Sequence, residues 1–456
     1  MRKAPLRAAG LMIVFLAGSA GSAGQIDPAG PSFAVKPYEA VSLFGRRLVS
    51  PEPSPAAFKS WEEARTKFAA DPSEDNWIWL GRRTAYLGRF REAVAIYSEG
   101  LKKFPESYRL YRHRGHRFIS IRQFGRAIAD FEKAAALVSG KSTEVEPDGA
   151  PNPSGIPVSN TQFNIYYHLG LVYYLTRDFA RAEAAYRECL RWSKNDDSIV
   201  ATTDWLYLTL RRTGKAAEAS SALSRINRSM KMLENGAYLD RLLMFKGEIP
   251  EDEFGRARPD ETAPEKAIRA YGLGMLRLGK GDKTGAREIF EEMLVDGNWA
   301  SFATIAAETE LADLVRTEPD LGSAGSTLQA WTLSWNLYDL DLVRKLFEPT
   351  RRTTYFSSEK PGRIQGLNGL LEHSKGFGFV PGGKLSDNRL WLDSFTVLGA
   401  GDMALATAYW YFDRDVAGPG PAQKGPVTFV FLREGEAWKI VHAHFANDPA
   451  VPAMTR

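Results

Sequence analysis

The sequence predicts a multi-domain chain: an all-α solenoid of stacked helical hairpins, followed by a smaller α+β domain. Three observations carry this. First, Trp77, Leu80, Gly81, Ala93 and Tyr97 recur as Tyr111, Arg114, Gly115, Ala127 and Phe131, every pair 34 residues apart. A small residue held at one period among aromatic anchors marks hairpins that cannot bury their apolar faces alone and therefore stack. Second, the repeat signal stops after Leu314. Third, short runs of strand type then take over, several separated by Gly-rich or Pro-rich turns such as Ala417 to Pro421 and Glu434-Gly435-Glu436. A helix ahead of such a meander predicts α+β, with a sheet curled around the helix.

The chain opens on Met1-Arg2-Lys3, an apolar run from Leu11 to Ala17 and small residues from Gly18 to Gly24. Basic, short apolar and small segments in that order predict a secretory signal over 1–24, and the apolar run is too short to span a bilayer. No later stretch reaches spanning length. The expectation is an exported protein, periplasmic or extracellular, that does not span a membrane. Cys189 is the one cysteine, so no intramolecular disulfide forms. Its small-residue position on a predicted helix reads as a buried packing thiol. The net charge of +4 is mild but uneven. Between Arg82 and Arg126 stand twelve Lys or Arg against three Glu, an excess of nine in one basic region.

In chain order, 25–73 reads as a Pro-rich lead-in and a capping helix from Ala56 to Ala70. The solenoid is expected over 74–320. Its first repeat is a helix through Ala85, a turn at Leu87-Gly88-Arg89, a helix from Arg91 to Lys103, and Pro105 as its stop. Here the residues resemble the tetratricopeptide repeat family: Trp77, Leu80, Gly81, Ala93, Tyr97 and Pro105 match its pattern, while Thr84 replaces a Tyr. Gly81 and Ala93 let two helices touch, and Trp77 and Tyr97 fill the gap to the next hairpin. The second repeat has Arg114 for Leu and Ser139 for Pro. An insertion of 21 residues, 142–162, is too rich in Pro and Gly for a helix. The repeat resumes in phase at Tyr166, Leu169, Gly170, Tyr173, Ala182 and Tyr186. Weaker units follow at Asp204, Tyr207 and Ala216, near Leu233 to Lys246, and at Leu273-Gly274, Ala286 and Phe290.

The last segment, 321–456, begins with an amphipathic helix expected from Ser326 to Phe347, with Trp331, Trp335, Tyr338, Leu342 and Leu346 on one side. Strands are expected at Thr353 to Phe356, Trp391 to Leu398, Met403 to Phe412, Val427 to Leu432 and Trp438 to Phe445. The block from Gly425 to Asn447 resembles the end of SnoaL-like domains. These share the cone-shaped fold of nuclear transport factor two and ketosteroid isomerase, a curved antiparallel sheet around a long helix. The resemblance spans about 125 residues, rests on the last two strands with Trp335, Asp341 and Leu346, and is weak between Lys360 and Asn388.

Two sets of residues point to function. On the first helix of each repeat, the stripe beside the packing stripe carries Arg82, Arg109, Arg112, His116, Asn164 and Tyr167. Arg109, Arg112 and His116 fall at i, i+3 and i+7 and share a helix face. One reading is a groove that clamps an acidic protein segment or a terminal carboxylate, because arginine offers two parallel donors to a carboxylate. The other leaves these arginines solvated or paired with Glu92, Glu99 and Glu106. Nucleic acid is not an expected partner, since no readable binding motif accompanies the charge.

In the last strand His442 and His444 are two apart, so alternation places both on the face of Trp438 and Ile440. The resemblance implies that this face lines a cavity, with Trp335, Tyr355, Tyr411, Trp438, His442 and His444 as its pocket. His442, His444, Asp393 and Tyr409 are the candidate acid and base groups for proton transfer beside a carbonyl. The same domain without chemistry would bind a small hydrophobic ligand, or associate with a second copy as a homodimer. The reading favoured is an exported scaffold whose groove binds a protein or peptide; the alternative is an isomerase or cyclase acting on a hydrophobic carbonyl compound. No carboxylate at firm spacing completes a metal set with the two histidines, and no phosphate-cradling motif or nucleophile elbow is present, so no metal or cofactor is expected.

Overall fold

The computed structural model describes residues 36–418 and 420–448, which belong to one compact unit. The leader expected at 1–24 lies outside the described residues. A short hairpin, β1 (Ala40–Val41) and β2 (Arg47–Leu48), precedes helix α1 (Pro55–Ala70), which Ser54 caps through its side chain. Hairpins of antiparallel helices follow: α2 (Glu74–Tyr86) with α3 (Phe90–Lys103), α4 (Tyr108–Ser120) with α5 (Phe124–Val138), α6 (Thr161–Leu175) with α7 (Phe179–Trp192), and α8 (Asp196–Arg212) with a short α9 (Ala216–Ala222). Then come α10 (Gly236–Lys246), α11 (Glu251–Phe254), α12 (Ala263–Gly279), α13 (Lys283–Val295) and α14 (Phe302–Thr317).

The periodic residues do what the spacing requires. A Cβ on Gly170 would lie 2.7 Å from Cε1 of the fully buried Tyr186, and one on Gly115 would lie 2.9 Å from Phe131. Each glycine thus lets an aromatic ring of the second helix lie against the backbone of the first. The turn between the two helices needs a left-handed residue. Gly88, Gly214 and Gly281 supply it in three hairpins, while Arg122 (φ 61°) and Arg177 (φ 63°) hold the matching places in two others. A long side chain in that region costs about 1–2 kcal/mol, so something must hold it there.

That something is α14. It packs on α12 and α13 and also reaches across to the first helices of earlier hairpins, and all of residues 303–312 and 314–315 are enclosed from solvent. The Arg122 guanidinium donates to Glu308 at 2.9 Å; Arg177 pairs with Glu310 at 3.3 Å and with Asp313 at 2.8 Å, and Arg212 joins the same two carboxylates. Tyr174 on α6 donates to Glu310, and Phe302 packs on the His116 and His168 rings. Glu308 also accepts from the backbone N of Leu43 at 2.7 Å, which pins the N-terminal hairpin.

The C-terminal part packs α15 (Ala324–Asn336), α16 (Leu340–Leu346) and α17 (Gly366–Gly376) against a mixed sheet. Its strands are β3 (Thr354–Phe356), β4 (Arg363–Gln365), β5 (Arg389–Ala400), β6 (Met403–Asp413), β7 (Gln423–Glu434) and β8 (Ala437–Phe445), in the order β4-β3-β8-β7-β6-β5. The single helix expected from Ser326 to Phe347 is broken in two. Tyr338 turns left-handed at φ 50°, and Asp339 Oδ1 caps the second piece by accepting from the backbone of Asp341 and Leu342. The sheet is not wholly antiparallel either, since β3 runs parallel to β8. β4 and α17 fall in the stretch where the resemblance is weak.

Helical and sheet parts share one core. Asn336 binds the backbone of both Leu43 and Leu390, Arg389 donates to the carbonyl of Arg122, and Arg91 Nε donates to the carbonyl of Val416 at 2.7 Å. Among the described residues no helix is long and apolar enough to cross a membrane.

Candidate functional site

The first-helix stripe is covered rather than open. The insertion 142–162 folds back as a strap, closed on itself by backbone bonds from Glu146 N to Ser159 O and from Thr161 N to Glu144 O. Arg82 Nη1 donates to the carbonyl of Pro147 at 2.7 Å, and Arg83 Nη1 to that of Gly149 at 2.9 Å. Arg112 Nη2 lies 3.0 Å from Glu146 Oε1, with both side chains buried. Asn164 Nδ2 donates to Ser159 Oγ at 2.9 Å. Three of the six stripe residues, Arg82, Arg112 and Asn164, therefore meet on the strap.

The other three do not. Arg109 pairs with Asp75 at 2.6 Å, and Glu92, Glu99 and Glu106 pair with Arg89, Lys102 and Lys133 instead of with the stripe. The His116 ring packs 4.6 Å from His168 and 5.1 Å from Phe302, under α14. Tyr167 is buried and accepts from Trp205 Nε1 at 2.9 Å. The stripe is thus one surface occupied twice, by the strap at α2 and α4 and by α14 farther on.

Burial and crowding of charge set the electrostatics here. Burial lowers the Arg112 pKa, and the carboxylate of Glu146 partly restores it. Burial pushes Arg117 down to about 10, with Arg112 and Arg82 adding to the push. His113, His116 and His168 are held well below the usual histidine range, first by burial and then by neighbouring arginines or, for His116, also by His168. Spacing alone missed Arg83, Arg117 and His113. The signal that finds them is charge complementarity: Glu144, Glu146 and Asp148 of the insertion follow a region with an excess of nine positive charges.

The C-terminal candidates separate. A β-bulge in β8 adds Val441 between the pairs Phe431–Ile440 and Val430–His442. One extra residue reverses the alternation beyond it. Ile440, Ala443 and Phe445 therefore point into the core, while His442 and His444 turn to the opposite face, away from Trp438 and Ile440, where the sequence placed them. His442 Nδ1 meets Thr354 Oγ1 at 2.8 Å, and both histidine rings lie against Phe356. Burial, then His444, lowers the His442 pKa.

Asp393 is salt-bridged to Arg47 at 2.9 Å. Tyr409, its partner in register, is exposed, and Tyr411 stacks flat on Trp391 at 5.0 Å. Of the expected pocket, Trp335 and Tyr355 point inward and Trp438 is half-buried against the core. That interior is filled. Trp331 lies 4.9 Å from Phe429 and 5.5 Å from Phe445, and Trp335 packs on Phe377 and Phe379. α17 adds His373, whose ring faces Tyr355 at 5.6 Å and whose Nε2 is buried without a partner among the described residues. Burial lowers His373 and raises Tyr355.

A tetratricopeptide-repeat family model matches residues 163–196. The match covers α6, α7 and the strand-free turn that leads into α8. Similar solved structures include a nuclear transport factor 2-like superfamily protein from Salmonella enterica serovar Typhimurium, 22% identical over 32% of this chain and 97% of that one, with a TM-score of 0.24. A nuclear transport factor 2-like protein from Pseudomonas putida is 18% identical, over 29% and 88%, with a TM-score of 0.24. A protein with a cystatin-like fold from Caulobacter vibrioides is 17% identical, over 27% and 87%, with a TM-score of 0.23. No match was found among curated proteins.

Proposed function

We propose that this chain is an exported binding scaffold. Its helical repeats, up to about residue 320, hold a protein partner, and its C-terminal cone associates with a second copy through the outer face of the sheet. The observation that carries the second half is the composition of that face. Leu398, Leu405, Val430 and His442 stand side by side across four strands, and Thr396, Thr407, Thr428 and His444 form the next row. Leu398, Met403, Leu405 and Tyr409 are large, apolar and exposed. Contiguous apolar side chains on an outer sheet face mark an interaction site. Two copies of one such face can pack about a twofold axis, each row meeting its own image, at the usual sheet spacing of about 10 Å.

The aromatic filling of the interior supports association over small-ligand binding. The spread of His442, Asp393 and Tyr409 over the outer face, with His373 and Tyr355 inside, supports binding over catalysis. Export rests on the leader pattern, and the mass of the mature N-terminus, expected within 18–24, checks it.

Sedimentation velocity of the full chain tests the association. A dimer is expected, converted to monomer by Leu405→Glu with an unchanged circular dichroism spectrum. A monomeric wild-type chain at high micromolar concentration would contradict the reading.

A further inference from the structure

The geometry points to the strap as a built-in stand-in for a ligand: the Glu146–Gly149 segment occupies a site made for an acidic, extended segment of another protein. That segment would carry a carboxylate and, three residues later, a glycine. This rests on the reading of the helical half as a partner-binding surface, and deepens it by naming the partner's chemistry.

Four features argue for it. The strap is read by its backbone and one carboxylate: Arg112 takes the Glu146 carboxylate, while Arg82 and Arg83 take the Pro147 and Gly149 carbonyls. Such contacts are available to any chain of that shape. The glycine suits the site, because a Cβ there would run into the Tyr86 hydroxyl and lie 2.7 Å from Arg82 Nη2, displacing the arginine that takes the Pro147 carbonyl.

The charge is unbalanced as well. Arg82, Arg112 and Arg117 crowd together around one paired carboxylate, and Arg117 has neither an ion pair nor a side-chain hydrogen bond among the described residues, only the Phe90 ring at 5.5 Å. Last, the strap is held by polar contacts rather than by apolar packing. Its Val145 and Ile156 are both exposed, and Asp148 Oδ2 is buried without a partner among the described residues. A segment that leaves its large apolar side chains in water is held by polar contacts, which an equivalent segment in trans can replace at little net cost.

The probe is a synthetic peptide with the sequence of residues 143–151, titrated by calorimetry into the full chain. Glu146→Ala weakens the internal competitor, so this variant should bind the peptide about tenfold more tightly than wild type, the scale of one charge-assisted contact. Adding Arg82→Ala should abolish that gain, and a peptide with Gly149→Ala should bind more weakly than the parent peptide. Equal binding by wild type and Glu146→Ala, no binding by either, or equal binding of the two peptides overturns the proposal.

Should Glu146→Ala disturb folding, the wild-type chain serves. There the peptide must speed tryptic cleavage after Lys141 at the base of the strap, and unchanged cleavage overturns the proposal. Sedimentation of the sheet-face variant is indifferent to these outcomes, so the two readings fail separately.

Discussion

Replacing Gly170 by alanine tests the close-approach argument on which the repeat reading stands. The new methyl would lie 2.7 Å from Tyr186 Cε1 and 2.8 Å from Cδ1, well inside van der Waals contact. The ring cannot retreat, because Tyr186 is 0% exposed. Overpacking of this kind costs about 1–3 kcal/mol. Alanine returns about 0.5–1 kcal/mol of helix propensity, so the net loss is about 1 kcal/mol at mid-range and at most about 2.5 kcal/mol. Gly279→Ala is the control, since its nearest neighbour is Arg211 Nη2 at 3.6 Å. There only a propensity gain remains, at most about 0.5 kcal/mol because Gly279 closes α12. Urea unfolding followed by far-ultraviolet circular dichroism should move the two midpoints in opposite directions. A Gly170→Ala protein as stable as Gly279→Ala would refute the reasoning.

Three further outcomes follow from buried groups. His113, His116 and His168 have folded pKa values below their unfolded ones, so on acidification through about pH 6.5 the unfolded chain takes up protons that the folded chain refuses. Stability is thus full above that range and falls below it, by up to about 4 kcal/mol per pH unit for three histidines; urea midpoints unchanged between pH 7 and 5 would count against their burial. Arg241 and Asp204 form a fully enclosed pair, so Arg241→Met should cost about 3–5 kcal/mol, and adding Asp204→Leu should recover most of it; equal melting temperatures for the single and double variants would contradict this. Burial pushes the Cys189 thiol up to about 12, and its Sγ faces Thr202 Oγ1 at 3.3 Å, so iodoacetamide at pH 8 should label it only as the chain unfolds; rapid labelling of the folded protein would exclude the enclosed position.

The hairpins were legible because contact between helices demands Gly or Ala at fixed places, and the period of 34 residues survived the insertion. Five of the eight described strands, β3 and β5 to β8, were legible from their composition to within a few residues at each end, while the two- and three-residue β1, β2 and β4 are too short to leave an alternating pattern. α14 was not. A helix enclosed on all sides has no apolar stripe to betray it, and nothing local in the sequence shows that Glu308 and Glu310 anchor Arg122, Arg177 and Arg212. Nor could alternation foresee the bulge at Val441, which moved His442 and His444 to the outer face. Of the stripe, Arg82, Arg112 and Asn164 meet on the strap, and that contact was hidden because long-range pairing of an insertion leaves no local pattern.

That the chain fills its own repeat groove is the central claim, and amide hydrogen exchange along α14 tests it most directly. Ion-paired to three arginines and packed through Phe302 on His116 and His168, the backbone of residues 303–312 should exchange as slowly as that of α6. Arg122→Gly, which relieves the left-handed strain but removes the Glu308 partner, should speed exchange in α14 before it does so in α6. Exchange of α14 in the wild-type chain at the rate of an exposed helix would mean that the groove stands open, and would contradict the account.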